Sequence, residues 1–332
     1  MNKLYEIADK SVCQIKINNN NYEIINGTGS FIKFSIFSKK EPLYGIITNN
    51  HVFKTEHLQT NKSFEIILNE KPFKIIFNDN NFIFTSKLLD ITFIQLTDET
   101  YLNNPIIDFL EPETDEDKTY IGKPISIVQY PTKQQSFAFG RINSLSGFNY
   151  FHSVTTKEGS SGSPLLINDL NNMKIIGIHK ISIVDSNDNS VKNLATKFSI
   201  VENVISTIYN KNFIYDINKA RKDPRVLNDS EIEDLKIHGL EKTNLYNVFK
   251  CPYFKSKKIT ILFYKSNHGW YFASKIKKKV KYDEKTLKIH RWTYINPYEP
   301  IEKIFVNIDE EELEHRHEVI IMWLKLSEFK YI

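Results

Sequence analysis

Residues 158–165 read EGSSGSPL, with two serines held between two glycines and a Ser-Pro directly after. Small residues at this density mark a loop with a permissive backbone. Whether either serine does chemistry depends on what the rest of the chain supplies. A hydroxyl is a poor nucleophile until a base removes its proton, and the base works best when a third group orients it. The attacked carbonyl also needs N–H donors aimed at its developing charge. With Ser161 as the nucleophile, the backbone N–H groups of Gly159 and Ser161 are the expected donors.

Upstream, ITNNHVF at 47–53 offers a base. His51 follows an apolar run and two asparagines, as a histidine does just past a strand end. A carboxylate stands in LLDITFIQL at 88–96, where Asp90 opens a strongly apolar strand. A lone carboxylate there is costly to bury, so the position asks for a partner. His, Asp and Ser then occur in the chain order of chymotrypsin-type proteases.

The surrounding pattern is β. SVCQIKI, GTGSFIKFSI, YGIITNN, SFEIILN, FKIIFN, ITFIQL, ISIVQY, FAFGRI and KIIGIHKISI are short Ile/Phe/Val-rich runs broken by Asn, Gly, Pro, Asp or Lys. Such runs predict an all-β sandwich or barrel, with no long helix before about residue 200. FSIVENVISTIYN at 198–210 predicts a short amphipathic helix closing this unit. The acidic stretch DFLEPETDED at 108–117 reads as a solvated loop between two subdomains.

A charged, Pro-containing linker is expected at 213–227, then a small α+β domain over 228–332. Its expected elements are a helix capped by Ser230 and Glu233 and ending near Gly239, a hairpin turning at Asn267, His268 and Gly269, and a helix over 308–326.

The chain's 332 residues suit two or three folding units. A formal charge of +4 does not demand nucleic acid, and none is expected as a partner. Cys13 and Cys251 are the only cysteines and lie far apart, so a disulfide framework is not expected and a reducing, cytoplasmic compartment fits. No apolar run reaches signal-peptide or membrane-spanning length, so no membrane span is expected. His315 and His317 are two apart and share no helix face, and no other spacing suggests a metal site; neither metal nor cofactor is expected. The basic run 274–282 reads as a solvated surface.

GTGSFI at 27–32, ITNNHVF, LLDITFIQL and GSSGSPLL at 159–166 together resemble the trypsin-like peptidase domain, nearest in flavour to the Deg/HtrA group and the glutamyl endopeptidases. The resemblance covers about residues 8–208. It implies a chymotrypsin-like double β-barrel of six strands each, barrel one at about 8–105 and barrel two at about 118–208, within a peptidase domain over 1–212. His51 and Asp90 would come from the first barrel and Ser161 from the second. Ser160 stands where trypsins carry the Asp that pairs with a freed N-terminus, which argues against that mode of activation. As a rival nucleophile, Ser160 is disfavoured because the family places the nucleophile directly before the Gly of SGxP.

Specificity follows from the same resemblance. Trypsins carry an Asp six places before the nucleophile; here that place is Thr155, so Lys or Arg has no anchor. His179 in IIGIHKIS and Thr156 match the pocket of glutamyl and picornavirus-type proteases, which implies Glu or Gln before the scissile bond. Lys180 to Ser182 would offer the strand edge on which a protein or peptide substrate adds. The other reading is a catalytically silent protease-fold binding protein whose C-terminal domain recruits partners.

Overall fold

The computed structural model describes residues 2–18, 24–36, 41–54, 57–58, 63–77, 81–113, 115–131, 134–169, 172–184, 190–210, 241–242, 248–250, 259–266, 269–276 and 293–294. The chain divides into two units, Met1–Ser206 and Thr207–Ile332.

The first unit opens with helix α1 (Asn2–Ser11) and continues into β1 (Val12–Asn18), β2 (Ile24–Phe34), β3 (Leu43–Thr48), β4 (Ser63–Leu68), β5 (Lys71–Ile76), β6 (Ile83–Ser86) and β7 (Ile91–Gln95). These strands form one antiparallel sheet in the order β5-β4-β1-β2-β3-β7-β6. In β4 the sequence SFEIIL puts Phe64, Ile66 and Leu68 inward and leaves Glu65 outside, the period-two pattern of a half-buried strand. Between the central β2 and the edge strand β6, β3 and β7 are buried almost throughout, as their unbroken apolar runs require. Phe31, Ile46, Ile66 and Ile94 meet in the core below.

Past a helical turn α2 (Glu99–Leu102) come β8 (Glu111–Pro112), β9 (Pro124–Gln129), β10 (Ser136–Ser146), β11 (Asn149–His152), β12 (Pro164–Asp169), β13 (Asn172–Val184) and β14 (Ser190–Lys197), then helix α3 (Phe198–Asn210). The order is β12-β9-β10-β11-β14-β13-β8, and a further β12–β13 pairing closes the sheet into a barrel. Ile127, Ile142, Tyr150, Leu165 and Ile176 fill it. Both cores are all-β, as the chymotrypsin-like reading expects, but among the described residues each sheet has seven strands where six were expected. In the second sheet the extra member is β8, two residues running parallel to β13.

The acidic stretch is more than a solvated loop. Leu110 is buried and exchanges backbone hydrogen bonds with Phe31 and Lys33 of β2, while Glu113 N–H donates to Ile175 of β13. The Glu111 carboxylate meets Lys33 from the first barrel at 3.0 Å and Lys174 from the second. Its residues stitch the barrels together, and their net charge hid that role.

Helix α1 was also unexpected. Its ten residues are too few to be stable alone. Ala8 and Ser11 are buried, and Tyr5 packs against Phe137 of β10 with ring centroids 4.5 Å apart and planes tilted by 56°. Helix α3 falls where the amphipathic pattern predicts, burying Val201, Val204 and Ile205.

The second unit carries an antiparallel sheet of β15 (Glu241–Lys242), β16 (Val248–Lys250), β17 (Ile259–Ser266), β18 (Gly269–Ile276) and β19 (Thr293–Tyr294), in that order. The hairpin is there, with Ser266 opposite Gly269. The linker at 213–227, the helices expected near 230–239 and 308–326, and His315 and His317 lie outside the described residues. No helix among the described residues is long and apolar enough to cross a membrane.

Candidate active site

Strand β3 ends at Thr48 and the chain turns, with the N–H groups of Val52 and Phe53 both donating to the Asn49 carbonyl. Val52 and Phe53 point into the core and His51 is left exposed at the turn. Asp90 closes the turn between β6 and β7 with φ of +57°, a left-handed conformation that Asp tolerates better than most residues. Two donors hold that turn: Thr196 Oγ1 to the Leu89 carbonyl at 2.6 Å, and Asn49 Nδ2 to the Asp90 carbonyl at 2.8 Å.

So held, the carboxylate grips His51 twice. Oδ1 accepts the His51 backbone N–H at 2.9 Å, and Oδ2 lies 2.7 Å from Nδ1. An ionised carboxylate only accepts, so the ring keeps its hydrogen on Nδ1 and leaves a lone pair on Nε2. Asp90 thus lies in the turn just before β7 and is partly exposed, where a strand-opening position was expected, and His51 is its partner.

The serine loop joins β11 to β12. Its two serines differ in kind. Ser160 is fully buried and its Oγ accepts the Lys157 N–H at 3.0 Å, so that hydroxyl is spent inside the loop. Ser161 is partly exposed and lines the same cleft, of about 590 Å³, as His51 and Asp90. The flanking glycines are required by geometry. Gly159 and Gly162 have φ of +91° and +90°, and a Cβ on Gly162 would fall on the Thr28 carbonyl oxygen and the Thr48 hydroxyl.

The hydrogen bonds of this loop follow a pattern. Ser160 N–H donates to Lys157 O (3.0 Å), Gly162 N–H to His179 O (2.9 Å) and Ser163 N–H to Ser160 O (3.1 Å). The carbonyls of Gly159 and Ser161 accept from the Thr28 hydroxyl and the Thr28 N–H, both at 2.8 Å. Among the described residues, the N–H groups of Gly159 and Ser161 donate to no protein acceptor.

The far wall of the cleft includes His179, Lys180 and Ser182. His179 is nearly buried, and its Nδ1 lies 3.2 Å from Nε2 of His152, a residue the sequence reading did not single out. Val154 N–H donates to His152 Nδ1 at 3.3 Å, so His152 carries its hydrogen on Nε2, donates to His179, and leaves the His179 hydrogen on Nε2. Burial pushes His152 down to about 4. Burial, then His152 and His51, push His179 down to about 3, against a small opposing effect of the Leu194 backbone. Both rings are neutral at neutral pH.

Thr156 Oγ1 is 2.9 Å from Asn193 Oδ1 and 2.6 Å from Ser182 Oγ. Asn193 donates its amide to Val154 O at 2.8 Å, so its oxygen accepts from Thr156 and Ser182 donates to Thr156. On β13 a bulge between His179 and Ile181 leaves Lys180 out of the ladder with β14, and burial lowers the Lys180 pKa. Past Ile178 the β12 ladder ends, so the segment 180–182 has no strand on its β12 side among the described residues. Asn193, Thr28 and Thr196 sit in polar surroundings that sequence patterning does not mark.

Residues 27–178 match the trypsin-like peptidase domain family. No curated protein matches the chain. Among solved structures, the active form of the Rv3671c protease from M. tuberculosis is 17% identical, with a TM-score of 0.43 over 59% of this chain and 79% of that one. Deg5 is 15% identical, with a TM-score of 0.42 over 61% of this chain and 90% of that one. Over residues 27–178, then, this chain is similar to the trypsin-like peptidase domain family, and the two all-β cores lie beneath that match.

Proposed function

We propose that this chain is a serine endopeptidase in which Ser161, His51 and Asp90 form the catalytic triad. The observation that carries the reading is the 2.7 Å contact of His51 Nδ1 with Asp90 Oδ2 in the cleft that Ser161 also lines. His51 Nε2 takes the Ser161 hydroxyl proton as Oγ bonds to the substrate carbonyl carbon. The N–H groups of Gly159 and Ser161 receive the oxyanion. Collapse breaks the C–N bond, and His51 returns the proton to the leaving amine. Water, deprotonated by His51, then releases the acyl group from Ser161.

The substrate residue before the scissile bond is Glu or Gln. His179 and Ser182 line the cleft as neutral polar groups, with Thr156 hydrogen bonded to Ser182, which favours a side chain able to hydrogen bond over an apolar one. Lys180 to Ser182 receive the substrate backbone as an added strand.

A fluorophosphonate probe tests the first claim: it labels the wild-type chain at Ser161 and leaves Ser161→Ala unlabelled. Labelling at any other residue, or none in the folded wild type, overturns it. Peptide-library cleavage tests the second; cuts mainly after Lys, Phe or Leu overturn the pocket assignment.

A further inference from the structure

We infer that Thr28, on β2 of the first barrel, is a positioning residue that holds one of the oxyanion donors of the second barrel, the Ser161 N–H, in its working orientation. This rests on the assignment of the Gly159 and Ser161 amides as those donors.

Three consecutive peptide units carry the argument. The unit joining Gly159 to Ser160 is fixed at both ends: its carbonyl accepts the Thr28 hydroxyl at 2.8 Å, and its N–H donates to Lys157 O. The unit joining Ser161 to Gly162 is fixed likewise, with its carbonyl on the Thr28 N–H at 2.8 Å and its N–H on His179 O. Between them, the unit joining Ser160 to Ser161 has its carbonyl on Ser163 N–H. Only its N–H, that of Ser161, is left uncommitted among the described residues. A peptide plane rotates about the bonds on either side of it, so clamping both neighbours fixes where the Ser161 N–H points.

Thr28 is itself immobilised. It is fully buried, its hydroxyl accepts the Tyr130 N–H at 3.0 Å, and its carbonyl accepts the Thr48 hydroxyl at 2.7 Å. One side chain thus links β2, the end of β9 and the serine loop, with its single proton committed to Gly159 O. Serine keeps that donor, and valine keeps the shape without it. Because Ser160 spends its hydroxyl within the loop, the clamp on these two carbonyls comes from the other barrel.

The test compares Thr28→Val and Thr28→Ser with wild type on a peptide substrate, on a peptide boronate as transition-state mimic, and by amide hydrogen exchange. Thr28→Val is expected to lower kcat by about tenfold or more with KM changed less than about twofold, and to weaken boronate binding in parallel. Its amides at 160–163 exchange faster while β9 and β13 stay protected. Thr28→Ser recovers kcat to within about threefold. A folded Thr28→Val with wild-type kcat, boronate affinity and exchange overturns the clamp. Should wild type itself fail to react with the fluorophosphonate, the protease reading falls, and exchange at 160–163 alone decides: unchanged protection in Thr28→Val overturns the clamp and faster exchange upholds it.

Discussion

One carboxylate of Asp90 holds both the ring and the backbone of His51, at 2.7 Å and 2.9 Å. An amide in its place offers only one acceptor for these two donors. Asn also tolerates the left-handed backbone at position 90, so the fold survives the change. Asp90→Asn is therefore expected to lower kcat by about 10³–10⁴-fold with little loss of stability. Turnover measured beside thermal unfolding checks this; retained activity would remove Asp90 from the mechanism.

Gly162 tests the packing of the loop. Any side chain there collides with the Thr28 carbonyl and the Thr48 hydroxyl, neither of which has room to retreat. Gly162→Ala is expected to destabilise the first unit by about 3 kcal/mol or more, by steric clash plus the unfavourable φ. Urea unfolding followed by tryptophan-independent circular dichroism measures it.

Glu111 offers a test of the barrel seam. Its carboxyl is held below the ordinary range by Lys174 first and Lys33 next, with burial opposing. A depressed folded pKa means that the contribution is present above the unfolded carboxyl pKa and is lost as pH falls through the folded one. Because the carboxylate is half exposed, Glu111→Gln should cost only about 1 kcal/mol at neutral pH. The loss shrinks with added salt and vanishes in acid, and a pH series of unfolding midpoints shows whether it does.

The His152–His179 pair sets a different pH dependence. In the unfolded chain both rings take up protons as pH falls through about 6.5. In the folded chain they resist until about 4 and about 3. Between these limits the unfolded state binds more protons, so stability falls steadily as pH drops below about 6.5. Replacing His152 by Phe removes one of the two groups and should flatten that slope, as measured by urea midpoints from pH 7 to pH 4.

The residues proposed to carry chemistry were legible because their type announces it. His51 at a strand end, Asp90 before an apolar run and Ser161 between glycines each stood out against their neighbours. Thr28 and His152 did not, since a threonine or histidine in a strand gains meaning only from a partner; for the Thr28–Gly159 bond that partner is 131 residues away. Strand β14 was missed for a related reason. Its sequence SVKNLATK buries Asn193, Thr196 and Lys197, so no apolar alternation survives to be read. Lys197 is buried yet lies 3.5 Å from Asp117 and over the Tyr150 ring, contacts that make its burial tolerable.

The distance along the chain between Thr28 and the loop it grips also orders events at birth. A ribosome adding roughly 5–20 residues each second delivers Gly159 about ten seconds after Thr28. Throughout that interval the emerging first barrel has no serine loop to seize, and the glycine-rich segment has no fixed shape. The cleft therefore cannot close until the chain has been made through Ser182, and a ribosome-bound fragment that stops short of Ser161 lacks the nucleophile proposed above.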